Sequence, residues 1–242
     1  MGALQPGLLS PAIIPSHWPI VVIDIKDYFF NITLDPRDSR RFAFTVPSIN
    51  AVEPSRHFHW TILPQGMRNS PSVCQRVIAD VLTPVHRQFP MAILYHFMDD
   101  ILLAAESQEL LTQVYLSVKA ALSTHGLEIT PGKEQVVVPW KYLGFKINTT
   151  TIQPQTVALP NKICTLNDLH SLLGLINWVR PILGITADTL EPLLQLLKGE
   201  WINSPRHLTP KAQEVSEEID KKLSSCQSRR KVIGLPVMLV IL

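Results

Sequence analysis

The amino-acid sequence predicts an α+β fold, in which an antiparallel sheet carries helices on one face and is followed by a helical domain. The first observation is that short apolar runs typical of strands are interspersed with amphipathic helical segments through residues 1–150. The second is the stretch 91–105, where two apolar runs flank a polar pair and so indicate a hairpin. The third is the helical periodicity of residues 165–223.

The elements of the first half follow from apolar periodicity and turn residues. Ser70 followed by Pro71 is typical of a helix start, with serine at the N-cap. Gly126 follows an amphipathic stretch that it is expected to close. In order, the predicted elements are a strand at 19–25, strands at 41–47 and 56–63, a helix from Ser70, hairpin strands at 91–97 and 101–105, a helix at 109–124, and strands at 135–138 and 141–147.

A unit of three helices is predicted after residue 150. Thr165 and Asp168 have the spacing of a capping box, so a helix should begin there, and Pro181 should stop it. The remaining two helices are expected at 189–198, closed by Gly199, and from Thr209 onwards.

The composition bounds the class of protein. The chain has 242 residues, of which 46% are hydrophobic, enough for one large domain or two small ones. Its net charge of +2 does not by itself mark a nucleic-acid-binding protein. The 3 cysteines are far apart in sequence, which argues against a disulfide framework and against a cysteine metal site. We therefore expect reduced thiols and an intracellular, cytoplasmic location.

The two ends of the sequence indicate no membrane association. Residues 1–19 lack the charged start and apolar core of a signal peptide. The apolar run 232–242 is interrupted by Pro236 and is too short to cross a bilayer. We interpret this run as the first strand of a further domain that has been cut off.

Aspartates among apolar strands are the strongest chemical signal. Asp24 follows the apolar run 20–23, and Asp99 and Asp100 lie between the two strands of the predicted hairpin. Ionised carboxylates in apolar surroundings are costly unless they are paired or bind a cation. Asp24 and Asp99 could meet across a sheet and hold divalent metals for phosphoryl chemistry. Asp100 would then be a secondary ligand or a structural carboxylate, and a simple polar turn at 99–100 is the alternative.

Six motifs occur together in an order that is known from one family. They are residues 22–30 (VIDIKDYFF), 42–50 (FAFTVPSIN), 63–66 (LPQG), 97–100 (FMDD), 142–145 (YLGF) and 166–178 (LNDLHSLLGLINW). In these motifs the chain resembles retroviral reverse transcriptases, and most of all those of betaretroviruses and related class II endogenous retroviral elements. The resemblance runs from about residue 4 to about residue 230.

The resemblance implies a domain organisation. Residues 1–150 would form the palm with partial fingers, the fingers part lying at about 32–69, and residues 151–231 would form the helical thumb. Residues 232–242 would be the truncated start of the connection domain. The family's earlier fingers strands and its ribonuclease H domain have no counterpart in this sequence. Because the missing fingers carry the basic residues that clamp the triphosphate, we expect the polymerase activity of the chain to be very low.

The resemblance also implies an RNA- and DNA-directed DNA polymerase that transfers a deoxynucleotide to a primer 3′-hydroxyl. Two Mg²⁺ ions, replaceable by Mn²⁺, would be held by the catalytic residues Asp24, Asp99 and Asp100. Lys133 matches a general acid, although a surface lysine without a role is an equally good interpretation. The residues that match the dNTP-binding positions are Phe29, which would gate the sugar, Gln65 and Met98.

Two further groups match nucleic-acid contacts. The primer grip corresponds to Tyr142, Leu143, Gly144 and Phe145, and the minor-groove track to His170, Gly174 and Trp178. The alternative for the second group is that Gly174 admits a closely packed helix and Trp178 belongs to the core. The implied partners are an RNA or DNA template with primer, a dNTP, and a second copy of the chain or other Pol domains. The alternative function is a catalytically weak or inactive remnant that only binds an RNA/DNA hybrid template–primer.

Overall fold

The computed structural model describes residues 11–48, 50, 53–155, 163–199, 201–225 and 227–235. The chain forms two compact units. The first is built on Trp18–Trp140, and the second on Lys141 onwards together with the segment up to His17. None of the helices in the described part of the chain has both the length and the apolar character that a bilayer crossing requires.

The first unit contains two small sheets and two long helices. The strands are β1 (Ile20–Asp24), β2 (Ala43–Val46), β3 (Arg56–His59), β4 (Ile93–Phe97) and β5 (Asp100–Ala104), and the helices are α1 (Ser70–Gln88) and α2 (Gln108–Thr124). β1, β5 and β4 form an antiparallel sheet in that order, and β2 pairs with β3 in a separate ribbon. A short 3₁₀ turn, Ser39–Phe42, precedes β2.

The core of this unit lies between the central sheet and the two helices. Ile23 of β1 and Ile101 of β5 belong to the same buried cluster as Ile78 of α1 and Val118 of α2. Because residues two apart on a strand face the same side, both helices cover one face of the sheet. This confirms the α+β class that the sequence predicts.

The second unit contains the remaining sheet and helices. They are β6 (Trp140–Tyr142), β7 (Phe145–Ile147), β8 (Thr151–Pro154), β9 (Ser228–Arg229), α3 (Leu166–Leu183), α4 (Ala187–Leu194) and α5 (Pro210–Ser225). The strands pair in the order β6-β7-β8-β9. Arg230, only 1% exposed, donates to the carbonyl oxygens of Pro15, Asn148 and Thr149, and so holds the segment before β1 against the turn between β7 and β8.

In the first unit, several helix and strand boundaries differ from the prediction. Asn69 rather than Ser70 is the N-cap of α1, and the buried Ser70 hydroxyl donates instead to the carbonyl of Pro64 at 2.7 Å. The predicted strand at 135–138 is wrong. Gln135 makes one bridge to Val22, and residues 136–138 lie exposed beyond it, because no second strand pairs with them among the described residues.

In the second unit the prediction that Pro181 ends the helix is wrong. The helix runs to Leu183 and ends at Gly184, whose φ is +62° and whose N–H donates to the carbonyl of Arg180. Pro181 lacks the N–H that would donate to the carbonyl of residue 177, so the helix loses one hydrogen bond there, and it continues for only two residues beyond the proline. The expected helix at 189–198 is shorter, since α4 gives way to a 3₁₀ turn at Gln195. The predicted domain boundary at 150 falls between two paired strands, β7 and β8, whereas the compact units divide after Trp140.

Candidate active site

A cavity of about 560 Å³ opens in the first unit at the end of β1. Its wall includes six residues that the sequence singles out for catalysis or nucleotide binding, namely Asp24, Phe29, Gln65, Met98, Asp99 and Lys133. These residues come from chain segments that are up to 109 positions apart, and the fold brings them to one place. The cavity is therefore the candidate active site.

The sheet register places the three aspartates close to one another. β1 ends at Asp24 and β5 begins at Asp100, and these two residues lie directly opposite each other. Residues that are opposite in an antiparallel pair share one face of the sheet, so Asp100 lies beside Asp24 rather than facing away from it. Asp99 occupies the turn before β5 and contributes to the cavity wall.

Burial and the negative charges of Asp99 and Asp24 affect the pKa of Asp100. Its pKa is raised to about 6, first by burial and then by the negative charges of Asp99 and Asp24, while Lys133 opposes the shift. A carboxyl that is half-buried beside two other carboxylates favours its protonated form until a cation compensates. The arrangement is therefore suited to binding positive charge.

A segment beside β1 supplies the partners of Asp24. The Thr130 amide donates to the Asp24 carbonyl at 2.8 Å, and the Gln135 amide donates to the Val22 carbonyl at 2.9 Å. These bonds align residues 128–135 with the edge of β1 that does not pair with β5. In this position the Thr130 hydroxyl donates to Asp24 Oδ1. Lys133 Nζ lies 3.3 Å from both carboxylate oxygens of Asp24. The sequence carries no signal for Thr130, since only the pairing of the segment brings it to the site.

The turn that carries Asp99 is held from two sides. Met98 has a φ of +54°, a left-handed conformation that is uncommon for a residue with a side chain. The Ile25 amide donates to the carbonyl of Asp99 at 2.7 Å. On the opposite side, the Met98 amide donates to Oε1 of Gln75 on α1. The sequence interpretation missed Gln75, which lies outside the cavity and contacts the turn that carries Asp99.

The aromatic residues after β1 differ in burial. Phe30 is 39% exposed, Phe29 is partly buried, and Tyr28 is only 5% exposed. The rings of Tyr28 and Phe29 meet edge to face, with centroids 5.1 Å apart. Burial raises the pKa of the Tyr28 hydroxyl, which finds no hydrogen-bond partner within the described residues. Phe29 therefore lines the cavity on a support formed by a buried tyrosine.

In the second unit, the predicted primer grip is the tight turn between β6 and β7. Leu143 and Gly144 both have positive φ, +48° and +77°, as in a type I′ turn. The Trp178 indole N–H donates to the Leu143 carbonyl at 2.7 Å, and a Cβ on Gly144 would lie 3.2 Å from the same indole nitrogen. Glycine is required here both for its φ and for this close approach. Tyr142 and Phe145, on either side of the turn, are buried.

Of the predicted minor-groove residues, His170 and Gly174 lie on the exposed side of α3, whereas Trp178 packs against the turn at Leu143–Gly144. The helix buries Leu169, Leu172 and Ile176, as the apolar spacing predicts. His170 and Gly174 are exposed, and Trp178 is partly exposed. Among the described residues, no atom lies within 4 Å of a Cβ built on Gly174, so this part of the chain gives no support to the alternative that the glycine admits a closely packed helix.

The cavity offers few side-chain ligands for a divalent metal. Across the described residues, no group of three or more His, Cys, Asp or Glu side chains could hold a metal ion. Asp24 and Asp99 nevertheless offer hard oxygen atoms to the same cavity. Mg²⁺ usually keeps several waters and takes substrate phosphate oxygens, so one or two carboxylates suffice. The donor set therefore fits Mg²⁺ in the presence of a phosphorylated substrate.

Comparison with known proteins gives consistent similarities for both units. The sequence pattern of the family described as "Reverse transcriptase (RNA-dependent DNA polymerase)" matches residues 1–147, and that of the "Reverse transcriptase thumb domain" matches residues 154–215. The Gag-Pro-Pol polyproteins of Simian retrovirus SRV-2 and sheep pulmonary adenomatosis virus are each 44% identical, over 93% and 94% of this chain. That of mouse mammary tumor virus (strain BR6) is 41% identical over 100% of the chain. The chain spans only 13–14% of the length of these relatives.

Proposed function

The chain belongs to the reverse transcriptase family of RNA-directed DNA polymerases, and on this premise we propose that its cavity is a nucleotidyl-transfer site. The reaction is attack of a primer 3′-oxygen on the α-phosphorus of a dNTP, directed by an RNA or DNA template. One observation supports this above all others. Carboxylates from the end of β1 and from the β4–β5 turn share one cavity with an aromatic ring and an amide side chain.

Asp24 and Asp99 are the residues that would hold two Mg²⁺ ions, with Asp100 beside them. Bound Mg²⁺, or Mn²⁺ in its place, lowers the pKa of the attacking hydroxyl and neutralises charge on the triphosphate. The fold fixes the positions of these carboxylates. β1 fixes Asp24 through the sheet register, and the hydrogen bond from Ile25 fixes the turn of Asp99.

Lys133 would act on the leaving group. Its ammonium lies 3.3 Å from Asp24 and is 62% exposed, so it can reach a substrate in the cavity. Because the lysine end of this ion pair is open to solvent, the ammonium can exchange its contact with Asp24 for contacts with a phosphate. We assign to Lys133 the stabilisation of charge on the departing pyrophosphate and the donation of a proton to it.

Phe29 and Gln65 would select the nucleotide. The Phe29 ring is braced by Tyr28 on the cavity wall, so it can exclude a ribose 2′-hydroxyl. Gln65 lines the same cavity and precedes Gly66, whose φ of +86° turns the chain sharply at that point. Its amide can donate and accept hydrogen bonds with the sugar or phosphates of an incoming dNTP.

In the second unit, the turn at Leu143–Gly144 would contact the primer, and the exposed side of α3 would follow the minor groove of the duplex. Tight turns with glycine allow the backbone to approach a ligand closely. Recognition of a hybrid minor groove depends on shape and sugar contacts rather than on sequence. Both features are consistent with a chain that binds template–primer without sequence preference.

Primer extension tests this function. Purified protein is given Mg²⁺, dNTPs and a primer on an RNA or a DNA template, and is compared with Asp99→Asn. Asp80→Asn is the matched control, because Asp80 is an exposed carboxylate on α1 that pairs only with Arg76 in the described ion pairs. We expect slow extension by wild type and the control, and a loss of at least about 10²-fold in Asp99→Asn.

Equal extension by wild type and Asp99→Asn would overturn the proposed role of the cavity. The binding-only alternative predicts salt-sensitive affinity for an RNA/DNA hybrid with no extension in any variant. Measuring hybrid affinity at two salt concentrations beside the extension assay separates these outcomes.

A further inference from the structure

Gln75 is an unusual residue for the buried side of α1. Its neighbours on that side, Cys74 and Ile78, are apolar and fully buried, and Gln75 itself is only 6% exposed. Burying an amide costs free energy unless both of its ends are hydrogen-bonded. The partners of Gln75 therefore show what the residue is for.

Both ends of the Gln75 amide bond to the backbone of one turn. Nε2 donates to the carbonyl of His96 at 3.1 Å, and Oε1 accepts from the Met98 amide at 2.8 Å. Only this orientation of the amide satisfies both groups, since a carbonyl can only accept and an N–H can only donate. The side chain thus closes a ring with the backbone from residue 96 to residue 98.

A third hydrogen bond extends this connection to the helix backbone. His96 Nε2 lies 3.2 Å from the Gln75 carbonyl, so that nitrogen must carry the proton. Burial lowers the pKa of His96, which keeps the ring neutral near pH 7. His96 of β4 and Met98 of the turn are consequently joined to one helical position by three hydrogen bonds.

The turn needs such support because of its backbone conformation. Met98 has a φ of +54°, which costs a residue with a side chain roughly 1–2 kcal/mol. The next residue is Asp99, whose carboxylate lines the cavity. If the Met98 amide is released, the turn can relax, and Asp99 then leaves the place that the cavity requires.

We infer that Gln75 is a positioning residue that acts through the Met98 amide to hold the Asp99 carboxylate in the active-site cavity. The inference rests on the proposed function for its effect on catalysis, but its structural effect can be measured without catalysis. Gln75 itself does not line the cavity. A helix residue outside the site thereby determines the geometry within it.

The test compares Gln75→Met with Cys74→Ala. Methionine has a similar length and can fill the same space, but it cannot make both hydrogen bonds. Cys74 is the adjacent, fully buried residue and makes no contact with the turn among the hydrogen bonds described, so its alanine variant controls for loss of core packing. Thermal unfolding establishes that the two variants lose comparable stability.

Two measurements then distinguish positioning from packing. Hydrogen exchange followed by NMR should show the Met98 amide exchanging at least about tenfold faster in Gln75→Met, with the Leu103 amide of β5 unchanged. In primer extension, kcat should fall at least about tenfold while the dNTP KM stays within about threefold. Cys74→Ala should show neither change.

The inference is overturned if the Met98 amide stays protected in Gln75→Met, or if kcat falls no further than in Cys74→Ala. If wild type shows no extension that depends on Asp99, the proposed function fails, and the exchange measurement alone decides the positioning role. If Gln75→Met does not fold, Gln75→Asn replaces it. That variant keeps the amide on a side chain one methylene shorter, so unchanged Met98 protection there would contradict the inference.

Discussion

Asp100 is expected to destabilise the metal-free protein at neutral pH. Its pKa is raised to about 6 by burial, by Asp99 and by Asp24. The folded state therefore binds a proton more tightly than the unfolded chain does, whose carboxyl has a pKa of 3.8. The stability that protonated Asp100 contributes is fully present below about pH 4 and is lost as the pH rises through about 6. The destabilisation by the ionised carboxylate is therefore fully present at pH 7.5.

Asp100→Asn should remove this penalty. The difference between pKa values of 3.8 and about 6 corresponds to at most roughly 3 kcal/mol. Asp100 is only half-buried, and solvent screening reduces the effect to about 1–2 kcal/mol. For a chain of this size, that stabilisation raises Tm by about 3–6 °C.

Thermal unfolding in EDTA at pH 7.5 and at pH 4 measures the effect. We expect Asp100→Asn to be more stable than wild type at pH 7.5 and equal to it at pH 4. Asp80→Asn, which removes an exposed carboxylate from α1, should stay within about 0.5 kcal/mol of wild type at both pH values.

Added Mg²⁺ gives a second comparison between wild type and Asp100→Asn. Added Mg²⁺ should stabilise wild type more than Asp100→Asn and so reduce the difference between them, because the wild-type cluster has more negative charge to offer. The reasoning is refuted if Asp100→Asn is destabilised equally at both pH values. That result would mean that hydrogen bonds stabilise the Asp100 carboxylate and that repulsion by Asp24 and Asp99 does not destabilise it.

The remaining predictions concern one residue in each unit. Tyr28→Phe should raise the free energy of unfolding by about 1 kcal/mol, because it removes a buried hydroxyl that has no partner in the described structure; a loss of stability in chemical denaturation would contradict this. Trp178→Phe should cost about 1 kcal/mol or more through loss of the hydrogen bond to Leu143, and should weaken binding to a template–primer. Trp201→Phe is its control, since Trp201 is 80% exposed and should tolerate the change; equal effects of the two would exclude a specific role for Trp178.

Sequence patterns predict those parts of this fold that depend on local chemistry. The hairpin around Asp99 follows from two apolar runs with a polar pair between them, and the start of α3 follows from the capping box at Thr165. The burial of Leu169, Leu172 and Ile176 follows from helical spacing alone. Each of these features is encoded by residues that are near one another in the chain.

Features that depend on long-range pairing could not be predicted in this way. Thr130 reaches the site only because a segment distant in sequence lies beside β1. Gln75 reaches the turn that carries Asp99 only because α1 packs against the hairpin. Neither residue has a distinctive neighbourhood in the sequence. The register of β1 with β5, which places Asp100 opposite Asp24, is likewise set by tertiary pairing, and regular alternation within one strand does not reveal it.

Short strands were missed for a related reason. β8 and β9 have only four and two residues, too few to show the alternation by which strands are recognised. The end of α3 was predicted too early, because Pro181 removes one backbone hydrogen bond but does not stop the helix at the residue before it.

Crystals of the protein with template–primer and Mn²⁺ would test the role of the cavity most directly, through anomalous scattering. If the account is correct, manganese peaks lie between the carboxylates of Asp24 and Asp99, and they disappear in Asp99→Asn. Manganese bound elsewhere on the protein, with none at these two side chains, would contradict it.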